Sequence, residues 1–272
     1  MMKESKIKVL IEGLDFPEGP AVDSLGNIWL VEQQGGNIVR LSVDNKITRY
    51  PTNGSPNGIA IDARDHIWFC DSKNNCISVL EPGEKNIRVV CDKVNGKPLD
   101  KPNDLAFDDS GNLLFTCPGN SRYEPTGYVC AWVKGNVKKI AEGKYFPNGL
   151  AFTADGKELV IAETYKHRLW KGKWDSSSAT WYEAAPWVEV GGPVGPDGMA
   201  FDENHNLHVA IFGQQRVKVI SPHGIIIEEL LLPGKNPTNC AFLMNGGLIV
   251  TEAERGELLW VDNRIKGIPL YR

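Results

Sequence analysis

The chain has 272 residues, with 30 Lys and Arg against 34 Asp and Glu, for a net charge of −4. That balance argues against nucleic acid or an anionic membrane as the main partner, and no apolar run approaches the ~20 residues of a membrane span. The opening MMKESKIKVLIEGLD carries lysines but no apolar core of about 7–15 residues ahead of a small-residue cleavage site, so a cytoplasmic location is expected.

Taken in order, the chain repeats itself. Phe16-Pro17-Glu18-Gly19-Pro20-Ala21 is followed by copies beginning at Pro56 (PNGIAID), Pro102 (PNDLAFD), Pro147 (PNGLAFT), Pro196 (PDGMAFD) and Pro237 (PTNCAFL). The prolines lie 39 to 49 residues apart, about the span of one four-stranded propeller blade. Within each period a short strand of small residues comes first, as Gly19 to Asp23 or Gly58 to Asp62. A Gly/Asn/Asp turn follows, such as Ser24-Leu25-Gly26-Asn27, because a hairpin needs residues that tolerate positive φ. A more apolar strand is next (Ile28 to Val31; Leu113 to Thr116), then a third (Ile38 to Leu41; Arg216 to Ile220). The fourth is more polar, as Lys46 to Tyr50 and Val137 to Ile140 show, which suits an outer edge. No stretch of a dozen residues has a 3.6-residue period, so long helices are not expected.

The sixth period ends near Leu258 to Val261, one strand short. The missing strand is at the other end: Lys8 to Gly13 leads into Phe16-Pro17 as Lys139 to Gly143 leads into Phe146-Pro147. The reading is an all-β, six-bladed propeller of four antiparallel strands per blade, a single domain over 1–272, closed by the N-terminal strand. Each repeat has Ala four residues after its Pro (21, 60, 106, 151, 200, 241), where inner strands crowd a central channel and a large side chain would fill the bore.

The position after each Pro varies: Glu18, Asn57, Asn103, Asn148, Asp197 and Thr238. All six should ring one mouth of the channel. Fifteen residues beyond the Pro lie Glu32, Asp71, Cys117, Ile211 and Glu252, with Glu163 matching after a one-residue insertion, as a second circle on the same face. So many half-buried oxygens would be unfavourable without compensation, and a hard cation such as Ca²⁺ compensates them. Asx residues beside Pro also cap turns, but Glu is a poor turn former. No GxSxG motif competes. The six cysteines (70, 76, 91, 117, 130, 240) form no disulfide framework or zinc motif, although Cys70 and Cys76 bracket a short loop. Buried reduced thiols are expected, Cys117 among them despite its mouth register.

FPEGP, PNDLAFDDSGNL, FPNGLAFTADGK and PDGMAFDENHNL, in that order, resemble the senescence-marker-protein/gluconolactonase (regucalcin-like) family over essentially the whole chain. The resemblance implies a six-bladed propeller with one divalent metal at the channel mouth, Ca²⁺ first and Zn²⁺, Mg²⁺ or Mn²⁺ as alternatives, acting on a small sugar lactone. It implies Glu18, Asn148 and Asp197 as ligands, Asp197 as general base, and Asn103 as a substrate contact or further ligand. Relatives often carry Arg two residues before that Asn; here it is Lys101, which keeps the charge but not the bidentate fork. Arg122 and Glu124, in the loop Pro118 to Thr126, are placed over the pocket as substrate contacts. A non-enzymatic calcium- or protein-binding propeller, and an esterase, phosphotriesterase or lyase on the same metal, are the alternative readings.

Overall fold

The structure, a computed structural model that describes residues 6–81, 83 and 86–271, arranges six four-stranded antiparallel sheets as a six-bladed β-propeller. Blade one, Pro17–Val22, Ile28–Glu32, Asn37–Leu41 and Ile47–Pro51, sets the pattern. The inner strands of the others are Pro56–Ile61, Leu105–Phe107, Pro147–Phe152, Gly195–Phe201 and Pro237–Phe242. Blade six has three strands of its own and takes its fourth from Lys6–Ile11, which pairs antiparallel with Glu257–Asp262 from Lys6↔Asp262 to Ile11↔Leu258. The expected closure is therefore observed.

The core lies between blades rather than within one. Val31 and Ile38 of blade one pack with Ile59 and Phe69 of blade two. Ile11 of the closing strand packs with Leu30 of blade one and with Ile249 and Leu258 of blade six. Alternation along each strand sends successive side chains to opposite faces, so every blade presents an apolar surface to both neighbours. Turn chemistry holds the far face. Asp23 accepts from the backbone N–H of Leu25 and Asn27, from Asn27 Nδ2 and from Trp29 Nε1 at 2.7–3.0 Å. Asp62 and Asp202 repeat this arrangement, with His208 in the tryptophan's place at 3.0 Å.

Two elements were not read from the sequence. A small hairpin, Lys93–Val94 with Lys97–Pro98, precedes blade three. Beyond Asp262 the chain crosses the far face: Glu203 N–H donates to the Lys266 carbonyl at 2.8 Å, Ile268 N–H to Phe201 at 3.3 Å, and the Tyr271 hydroxyl to Ala154 at 2.8 Å. This strap ties blade six to blades five and four. A short 3₁₀ turn, Thr164–Lys166, is the one helical element among the described residues, and none is long and apolar enough to cross a membrane.

Candidate metal centre at the channel mouth

Five inner strands slip register just after their proline: between Glu18 and Ala21, Pro56 and Ile59, Pro147 and Leu150, Pro196 and Met199, and Pro237 and Asn239. A bulge re-aims the side chain it carries and is a common device beside active sites. Here it falls on the variable residue in four of the five blades and directly after Glu18 in blade one. Glu18, Asn57, Asn148, Asp197 and Thr238 are buried and Asn103 is half-buried. The next residue is usually glycine because the adjacent blade is too close for anything else. A Cβ on Gly149 would lie 2.3 Å from the Asp197 carbonyl oxygen.

Glu18 and Asp197 come from blades one and five and meet electrostatically. Burial, then the charges of Asp197 and Asp104, hold the Glu18 carboxyl well above the usual range, against one N–H from Gly19. Burial and Asp104 raise Asp197 likewise, with Asn148 opposing through a hydrogen bond. Two threonines fix the segments that carry these acids. Thr164 accepts from Asn148 Nδ2 at 3.2 Å and donates to the Pro196 carbonyl at 2.8 Å. Thr238 donates to the Pro17 carbonyl at 2.8 Å, so this ring position acts as a brace beside Glu18.

Beneath the ring, Asp104 and Asn239 meet across the bore, Asn239 Nδ2 donating to Asp104 Oδ2 at 3.4 Å. Blades three and six are opposite in a ring of six, so the pair spans the channel. Burial pushes Asp104 up to about 7, against hydrogen bonds from Leu105, Asn239 and Leu150. Sequence reasoning missed this pair, yet a signal was present: both stand where the other four repeats have Gly19, Gly58, Gly149 and Gly198.

The outer circle of carboxylates must be corrected. Glu32 is held by Arg49 Nε and Nη2 and Asn37 at 2.9 Å. Glu163 takes the Tyr145 N–H, Arg168 and Trp170 at 2.7–2.8 Å. Glu252 takes the N–H groups of Asn236, Arg255 and Glu254 at 2.7–3.1 Å, and Asp71 binds Ser55 and Asn74 in the same manner. These acids are already compensated and staple loops. Among the described residues no three His, Cys, Asp or Glu side chains converge as a metal cluster. The inner donor set is two carboxylates and amides.

Lys101 and the 118–126 loop sit on the mouth face but engage each other. Lys101 Nζ donates to Asn120 Oδ1 at 2.7 Å. Ser121, buried, accepts the Phe146 N–H at 2.9 Å and pins the loop to blade four. Arg122 lies over the rings of Phe146 and Tyr165, 5.9 and 5.4 Å from their centroids, while Tyr123 and Glu124 are exposed. All six cysteines are free, and burial holds the Cys117 thiol well above its ordinary value, as a packed residue requires.

The profile of the SMP-30/Gluconolactonase/LRE-like region matches residues 16–254. The chain is 28% identical over 247 residues to the lactonase drp35 of Staphylococcus haemolyticus, covering 86% of this chain and 74% of that protein. Among solved structures, a calcium-binding regucalcin from Agrobacterium tumefaciens superposes with a TM-score of 0.88 at 21% identity, over 98% of both chains. A gluconolactonase from Xanthomonas campestris gives 0.85 at 19% identity, over 97% of this chain and 90% of the other. At such identities the two structures speak to the fold alone.

Proposed function

The chain belongs to the SMP-30/Gluconolactonase/LRE-like family, and from that premise we propose that it hydrolyses small lactones at the channel mouth. Sugar aldonolactones such as gluconolactone are the first substrates to try. The name lactonase carried by a 28% identical relative, together with the family description, supports the reaction class. The observation that carries the site is the pairing of Glu18 and Asp197, two buried acids that burial and neighbouring negative charge keep well above their ordinary range.

Such a pair suits a divalent cation, and an all-oxygen donor set suits Ca²⁺ better than Zn²⁺, which prefers nitrogen and sulfur. Glu18, Asp197 and the amide oxygen of Asn148 would hold it; Thr164 already engages the amide nitrogen. When bound, the cation supplies positive charge that polarises the lactone carbonyl. Asp197 takes a proton from the attacking water, whose oxygen bonds to the carbonyl carbon. The ring C–O bond then breaks, and the released oxygen is protonated to give the hydroxy acid. Asn103, half-buried on the ring, and Lys101 at its edge hydrogen-bond the substrate hydroxyls, with Arg122 and Glu124 at the rim beyond them.

Proton release from a lactone panel, with and without chelator, tests this. We expect chelator to abolish turnover and Asp197→Ala to lower kcat by about 10²-fold or more. Chelator-insensitive hydrolysis, or full activity in the variant, overturns it.

A further inference from the structure

The bore beneath the mouth contains a cavity of about 460 Å³, and its wall is the repeat itself. The six repeat alanines line it, one from each blade. Small side chains at one level of every inner strand leave a tube that no neighbour fills. Toward the far face Phe107, Phe152, Phe201 and Phe242 give it an apolar lining, and the strap from Lys266 to Tyr271 crosses its end. The other end is the Asp104–Asn239 pair, both residues 8% exposed and both facing the cavity.

That end is short of donors. Asp104 accepts the Leu105 N–H at 2.9 Å and the Asn239 amide at 3.4 Å. Leu150 adds a backbone N–H. A carboxylate has about four acceptor sites, so capacity remains for one more hydrogen. Apolar walls with one convergent polar end, at a volume within the range of about 300–1,000 Å³, describe a small-molecule site. Met244 and the strap's own Leu270, 56% and 65% exposed, stand at the rim and offer an apolar way in.

We propose that this channel is a second ligand site, separate from the mouth, for a small amphiphile. Its apolar body lies among the alanines and phenylalanine rings, and its single hydrogen-bond-donating head, hydroxyl or ammonium, meets Asp104. The site does not depend on the lactonase reading, since it lies on the other side of the Asp104–Asn239 pair.

The protein supplies its own reporters. Of four methionines, Met199 and Met244 line the cavity and are the reporters. Full-length protein with ¹³C-methyl methionine is titrated with octan-1-ol, octylamine and octanoate below their micellar concentrations. Saturable shifts at both Met199 and Met244 are expected from the alcohol and the amine. At pH 9, where Asp104 is ionised and octylamine is still an ammonium, octanoate offers an acceptor to an acceptor and should bind at least about tenfold more weakly. Ala151→Leu and Ala241→Leu fill the tube from different blades, and each variant that keeps its near-ultraviolet circular dichroism should lose the saturable response. No saturable shift, a response at Met244 alone, an unchanged response in a folded filled variant, or equal binding of octanoate overturns the proposal.

Discussion

A single carboxylate can serve structure or chemistry, and its hydrogen-bond partners separate the two roles. Glu252 is fully buried and receives three backbone N–H groups. Glu252→Ala leaves those donors unpaired and should cost about 3 kcal/mol in urea unfolding, with calcium affinity by calorimetry unchanged. Glu18→Gln should do the reverse. It removes a charge from a buried, mutually repelling set, so the chelated protein should melt no lower than wild type while calcium affinity collapses. Thr164 belongs between these extremes. Thr164→Val keeps the shape but frees Asn148 and the Pro196 carbonyl, so calcium affinity should fall about 10–100-fold with only a small change in Tm. An unaltered affinity would show that Thr164 only braces the backbone.

At the scale of the strand and turn, the repeat is legible because its geometry is written in residue types. The spacing of Pro, Gly and Ala follows from inner strands that nearly touch, and Gly149→Ala should therefore lower stability by about 1–3 kcal/mol and disturb the Asp197 backbone it would press on. The Asp turns add a pH dependence. Although burial pushes Asp23 up, the hydrogen bonds from Trp29, Asn27 and Leu25 bring it below its ordinary value. A depressed folded pKa stabilises above the unfolded value, near 3.9, and that contribution fades as pH falls through the folded one. The Tm difference between wild type and Asp23→Ala should thus be full at pH 7 and shrink below about pH 4; a gap that persists at pH 2 would exclude the carboxylate as its source. The outer acids were misread for a physical reason: backbone N–H groups satisfy Asp71 and Glu252, and no side-chain spelling announces them. The 118–126 loop is pinned to blade four by Ser121, which looks like any loop serine in the sequence. The strap escaped notice because it has no repeat to match, and the Asp104–Asn239 pair because each residue reads alone as one more polar substitution.

For the whole molecule, the ring has two fasteners of different kinds. The closing strand supplies a full antiparallel edge to blade six and places Ile11 in the layer between blades six and one. The strap makes a few hydrogen bonds to turns of blades five and four. Removing residues 1–11 should abolish the cooperative calorimetric transition or lower it by well over 10 °C, whereas removing 265–272 should shift it by about 5 °C or less. The pairing of Lys6 with Asp262 also has a consequence for how the molecule is made. Among the strands of the ring Lys6–Ile11 is made before the others and finds its partner last, because that partner is specified some 250 residues later. Blades one to five can assemble while synthesis proceeds, yet the ring stays open until Glu257–Asp262 has emerged. A nascent chain stalled before residue 257 should therefore remain sensitive to protease at its N-terminus, and release of the full chain should protect it.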